Sequence, residues 1–337
     1  AAYGSCYGFF THFTVMRFFM PRWPDSRFTD LTGTAHPIIQ GPMLGTGSEV
    51  MIGVAQAGGL GSLACATLSH EAIRAEVAAF RAVSDQPLNL NFFCHQAPQP
   101  DEARAQHWKS LFKPYYNELG ADFDAPTPVS SRAPFDEATC ALVEELRPQV
   151  VSFHFGLPDA ALVTRVKASG ATILSSATTV AEAQWLEHHG CDGIIAMGYE
   201  AGGHRAMFLS TDLASQIGTF ALVPQIVDAV SVPVIAAGGI ADARGIAAAF
   251  ALGASAVQIG TAYLFCPQAK ISQPHDKALR EAGSSDTALT NLFTGRPARG
   301  ILNRVMREMG PINPHAPAFP LAGGVLLPLK AMSEPAG

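Results

Sequence analysis

The chain has 337 residues, of which 48% are apolar and only 15% charged, so it has material for a large core and is not a disordered or purely solvating protein. A net charge of −6 gives no electrostatic reason to expect a nucleic acid or an anionic membrane as partner. No stretch reaches the ~20 consecutive apolar residues that would span a bilayer.

Six cysteines (Cys6, Cys65, Cys94, Cys140, Cys191 and Cys266) lie scattered without a CxxC pair, so neither a metal site nor a disulfide framework is indicated. A reduced, cytoplasmic protein is expected. Residues 1–22 begin AAYGSCYGFFTHFTVMRFFM, an aromatic-rich stretch broken by His12 and Arg17 and lacking the basic start of an export signal. They are expected to form a leader or disordered N-terminus, with the folded core beginning near Trp23.

Eight short apolar runs then recur: Pro37–Met43, Gly59–Ala64, Leu88–Phe93, Val150–Gly156, Ala171–Ala177, Gly193–Tyr199, Val232–Gly239 and Ala256–Leu264. Ala-rich stretches of helical spacing lie between most of them, including His70–Val83, Asp159–Ala168, Val180–His189 and Ala243–Leu252. Continuous apolar strands alternating with amphipathic helices predict a parallel sheet covered on both faces. Eight repeats favour closure into a (β/α)8 TIM barrel over residues 23–266, with an open doubly wound sheet as the alternative. Residues 94–148 are too long for an ordinary connection and predict a helix-containing insertion after the third strand. Residues 267–337 predict a C-terminal helical extension over the barrel mouth.

The chemistry-bearing motifs fall at strand ends, where barrels place their active sites. The seventh and eighth runs end in Gly238-Gly239 and in Gln258-Ile259-Gly260-Thr261. Glycine allows the backbone to approach an oxyanion closely, and Thr261 adds a hydroxyl donor, so the pair of turns predicts a phosphate site. After the sixth run, Glu200-Ala201-Gly202-Gly203-His204 sets a flat glycine step beside an imidazole able to take a proton from a carbon acid or hold an anion. His154 ends the fourth run, where a second imidazole can polarise a substrate, orient the first, or serve as a buried structural group. Met43 at the end of the first run offers a thioether to a planar ring, and Asn91 in the third offers an amide.

PIIQGPM, NFF, FHFG, EAGGHR, AAGGI, QIGT and GRPARGI-NR occur in this order between Trp23 and Glu308. With these motifs the chain resembles the nitronate monooxygenases, formerly grouped as 2-nitropropane dioxygenases. The resemblance implies FMN as cofactor and oxidation of alkyl nitronates by O2, without a nicotinamide, to a carbonyl compound and nitrite. It implies His204 as the catalytic histidine and His154 as the second active-site histidine. Met43, Asn91, Gly202, Gly203, Gly238, Gly239, Gln258, Gly260 and Thr261 match flavin-contact positions. Met197 stands where family members usually carry Gln, and Ala206 where Gly is common, so the hold on the flavin or its potential is expected to differ. The expected partners are a small nitronate and O2, with a homodimer left open.

Three rivals remain at this level. NAD(P)H-dependent flavin reductases, of the quinone or enoyl-acyl-carrier type, use the same barrel and flavin site. A flavin-binding protein without turnover is a second. An inosine-monophosphate-dehydrogenase-like barrel would need a nucleophilic cysteine in a strand-end loop, and Cys191 precedes its strand.

Overall fold

The structure is a computed structural model that describes residues 23–129 and 132–333. The expectation for residues 1–22 lies outside the described residues. The strands are β1 (Ile38–Gln40), β2 (Gly61–Ala64), β3 (Leu88–Phe93), β4 (Val150–His154), β5 (Thr172–Ala177), β6 (Gly193–Met197), β7 (Gly203–His204), β8 (Val234–Ala237), β9 (Ala256–Ile259), β10 (Thr287–Thr290) and β11 (Ala298–Ile301).

Eight of them form one parallel sheet in the order β1-β9-β8-β6-β5-β4-β3-β2. The sheet curls until its edges meet: the Leu60 amide donates to the Ile38 carbonyl at 2.9 Å, and the Gln40 amide to the Leu60 carbonyl at 3.0 Å. This is a (β/α)8 barrel. Its helices start where the sequence places polar caps. Ser69 accepts from the Ala72 amide, Asp136 from Thr139, Thr179 from Glu182, and Asp242 from Arg244. The helices His70–Arg81, Ala160–Ala168, Val180–His188 and Ala243–Ala251 match the spacing-based expectations within one or two residues.

The period of two along each strand divides the core. Leu88, Leu90, Val151, Phe153, Ile173, Ile194 and Val257 face the helices in the largest apolar cluster. Val150, Leu174, Ile195, Ile235 and Ala256 face inward, where they pack with Phe28 from the helix Arg27–Thr32. Phe28 is fully buried and plugs the interior of the barrel. Alternation then carries Asn91, His154, Met197 and Gln258 inward as well, nearer the carboxyl ends of their strands.

Two segments depart from the predicted layout. The 94–148 insertion contributes the helices Glu102–Leu111 and Lys113–Leu119, but its last part, Glu137–Leu146, is the barrel's own helix beside Ala160–Ala168. The C-terminal extension is helical only in part. It also carries the hairpin β10–β11, and β11 pairs with β7 to make a three-stranded antiparallel sheet. The sequences ARGI and GH lack any apolar alternation, so this pairing is set by tertiary contact rather than by local pattern. Insertion and extension share a second core in which Trp108, Phe112 and Tyr116 meet Leu292, Val325 and Leu329. Among the described residues no helix is long and apolar enough to cross a membrane.

Candidate active site

The carboxyl ends of β6, β8 and β9 form one wall of the mouth. Gly238 has φ +118°, and a Cβ there would sit 2.8 Å from Thr219 Oγ1 and 3.0 Å from the Ala201 amide nitrogen, so only glycine fits this turn. Thr219 is itself fixed, its amide and hydroxyl each 2.8 Å from Glu200 Oε2. Glu200 therefore ties the β6 loop to the start of the helix Thr219–Ala229. Gly239, Gly202, Thr261, Gly260 and Met43 follow as neighbours: a Cβ on Gly239 would lie 3.5 Å from Glu200, one on Gly202 would lie 3.5 Å from Thr261 Oγ1, and one on Gly260 would lie 3.6 Å from Met43 Sδ. Gly203, at φ +73°, faces open space.

These turns, with Gln258 and Ile259 on the last strand, make a backbone-lined cradle flanked by one hydroxyl and one thioether. Its donor chemistry fits a phosphate, and the bare face at Gly203 fits a planar ring. Asn91 Nδ2 donates to Ser152 Oγ at 2.9 Å and to its carbonyl at 3.2 Å, which leaves the amide oxygen as an acceptor. Met197 is buried against Ala201 and Ala206.

The opposite wall is built of rings. His204, on β7, places Nε2 2.9 Å from Thr294 Oγ1, a contact spanning 90 residues. Phe319 and Phe155 stand edge-on to it, with centroids 5.3 and 5.9 Å away. This packing strips water from the imidazole and lowers its pKa to about 3, with neighbouring His154, Arg132, Arg296 and His95 adding to the effect. His154 Nε2 donates to the His204 carbonyl at 3.1 Å, and Nδ1 faces Ser176 Oγ at 3.4 Å. Both of its nitrogens are thus engaged within the chain. Burial lowers its pKa to about 4, opposed by the bond to His204.

Three residues that the motifs did not single out belong to the site. His95, two residues beyond β3, packs 4.7 Å from Phe319. Neither of its ring nitrogens meets a partner in normal hydrogen-bond geometry, although the Arg132 backbone opposes the burial that lowers its pKa to about 4. Arg205 is fully buried and donates to the carbonyls of Gly198 (2.6 Å) and Met197 (2.7 Å) and to Gln216 Oε1 (2.9 Å). It locks the end of β6. Gln40, equally buried, receives the Ser62 amide at 2.8 Å and donates to the Gly41 carbonyl at 2.7 Å, fixing the turn before Met43. The strand-end positions of His95 in NFFCH and of Arg205 in GGHR were the available signals.

Among the described residues no group of three or more His, Cys, Asp or Glu is arranged to hold a metal. Cys191 is buried, its thiol donates to the Gly193 carbonyl at 3.1 Å, and burial pushes its pKa up to about 12. That describes an inert core thiol rather than a nucleophile.

A TIM barrel with glycine turns clustered at the ends of β6, β8 and β9 and a desolvated histidine on β7 carries its candidate chemistry at the mouth. The family model for nitronate monooxygenases matches residues 25–329. A nitronate monooxygenase of Pseudomonas aeruginosa is 42% identical, over 87% of this chain and 85% of that protein. One from Paraburkholderia phytofirmans is 38% identical, over 91% and 85%. Among solved structures, nitroalkane oxidase from Streptomyces ansochromogenes superposes with a TM-score of 0.81 at 34% identity, over 92% of this chain and 88% of that one. The chain belongs to the nitronate monooxygenase family.

Proposed function

We propose that the enzyme holds FMN in the mouth of the barrel and oxidises alkyl nitronates, such as propionate 3-nitronate, with O2 to a carbonyl compound and nitrite. The observation that carries this reading is His204: an imidazole kept neutral by burial, braced at Nε2 by Thr294, one residue beyond a glycine whose Cβ side is open. FMN bound there supplies the one-electron acceptor for the nitronate. Gly238, Gly239, Gln258, Ile259, Gly260 and Thr261 would hold its phosphate. Met43, Asn91, Met197, Gly202 and Gly203 would border its ring.

The Thr294 hydroxyl serves both roles required of His204. When it donates toward the Arg296 carbonyl, 3.4 Å away, it accepts from Nε2–H, and Nδ1 keeps a lone pair for a proton on carbon. When it donates to Nε2, Nδ1–H can hydrogen-bond a nitronate oxygen. A pKa near 3 leaves the imidazole neutral at working pH in either case. His154 acts through the chain: its bond to the His204 carbonyl fixes β7, and with it the imidazole.

The test starts from the visible spectrum of the purified protein. A flavin spectrum that an alkyl nitronate bleaches without oxygen and NADH leaves unchanged, with nitrite formed in air, supports the proposal. Rapid bleaching by NADH with inertness to nitronates would replace it with an NAD(P)H-dependent flavin reductase. A colourless protein that FMN cannot reconstitute would remove the cofactor assignment.

A further inference from the structure

Among the described residues near the mouth, the buried Glu182 and Arg205 are hydrogen-bonded, whereas Arg296 feels the Glu182 carboxylate only at a distance. Glu182 accepts from Thr178 and from the Phe208 and Leu209 amides, and Arg205 uses its donors on two carbonyls and Gln216. Arg296 is different. It is half-buried, takes part in none of the ion pairs among the described residues, and its Nη1 is buried without an acceptor. Its guanidinium lies over the ring of Phe155, with Cζ 4.1 Å from the centroid. Stacking covers one face of the fork, and at its edge Nη1 keeps a donor that no group of the described residues accepts.

Phe155 is itself unusual. It holds φ +72°, a left-handed conformation that non-glycine residues rarely keep unless their surroundings impose it. Its buried ring is the platform on which Arg296 lies. Since the Phe155 ring lies 5.9 Å from that of His204, the guanidinium stands within about 10 Å of the His204 imidazole. A separation no larger than that admits a short carbon chain with an oxyanion at each end, one at His204 and one on the Arg296 fork. His95, His154 and His204 are all held neutral by burial, so none of them supplies positive charge for the second anion.

We infer that Arg296 is a specificity-determining residue of this site, binding a carboxylate carried by the nitronate at the end remote from the reacting carbon. The inference rests on the nitronate reading above for the reaction, and on the unanswered Arg296 Nη1 for the residue that reads the remote carboxylate.

The test compares FMN-loaded wild type with Arg296→Gln and Arg296→Lys on two substrates of similar length, propionate 3-nitronate and 1-propyl nitronate. A charge-assisted pair of this kind predicts a KM for propionate 3-nitronate raised about 10- to 100-fold in Arg296→Gln, with kcat little changed. KM for 1-propyl nitronate should move less than about twofold, and Lys should recover part of the loss without the bidentate fork. Independently, 3-nitropropionate should raise the Tm of wild type more than 1-nitropropane does, and that difference should vanish in Arg296→Gln. Equal losses on both nitronates, or a carboxylate-dependent Tm rise that survives in Arg296→Gln, would overturn the assignment. A wild type that oxidises neither nitronate removes the proposed reaction instead, and the Tm comparison still decides the role of Arg296.

Discussion

The two walls of the mouth are built on opposite principles. Around β6, β8 and β9, glycine turns are closed down to contact distance, and the buried Arg205 and the exposed Glu200 both have their partners. Around β3, β4 and β7, three histidines and a guanidinium are crowded among phenylalanines, and Arg296 Nη1 is buried without an acceptor. A satisfied wall is suited to hold a group in one place, and an unsatisfied wall is suited to receive one. On the proposed reading the first serves cofactor binding and the second substrate chemistry.

Removing the imidazole from the second wall should give the largest effect. His204→Asn is expected to lower kcat/KM for a neutral nitroalkane by about 10²- to 10⁴-fold, the usual worth of a general base, and less for a preformed nitronate. Equal losses for the two would mean that His204 does not take the proton. Flavin content should be unchanged, since the first wall is untouched.

On the first wall, Arg205→Met should act through stability. It strands two carbonyls and the Gln216 amide in a buried site, so the loss in urea unfolding should be on the order of 3 kcal/mol, with the end of β6 the region affected. Next comes Gly238→Ala, which forces a Cβ into Thr219 at a positive φ. It should cost about 1–3 kcal/mol and lower the flavin content of the purified protein, with KM for the nitronate unaffected in the fraction that retains flavin.

Acidification should separate the walls in the flavin-free protein. His95, His154 and His204 have pKa values of about 4, 4 and 3 in the fold, below the value near 6.5 of an unfolded histidine. The unfolded chain therefore binds more protons over that interval, so the stability present above about pH 6.5 is lost as pH falls toward 4. Tm should drop between pH 7.5 and 5, and His204→Asn should flatten the drop. The smallest effect is expected for Met197→Gln, which would put an amide at a position proposed to border the ring. It should shift the flavin absorption band while changing turnover by less than about tenfold.

The barrel was legible because its signal is local and repeated: apolar runs of strand length, helical spacing between them, and polar caps at the helix starts. The small sheet of β7, β10 and β11 was not, since GH and ARGI have no pattern that predicts their pairing. At the site, Gly238 was legible because a tight turn declares itself in composition, while His95 looked like any histidine after a strand. Its isolation comes from Phe319, which lies far along the chain.

The sequence alone determined the alternation that closes the barrel and the glycine turns at 238–239 and 258–261, because period and backbone freedom are properties of neighbouring residues. Tertiary structure decided the rest. Thr294 reaches His204 across 90 residues, the hairpin carries Arg296 onto Phe155, and burial among rings keeps the histidines neutral. Desolvation and charge depend on what the fold brings alongside a residue, and no local pattern encodes that.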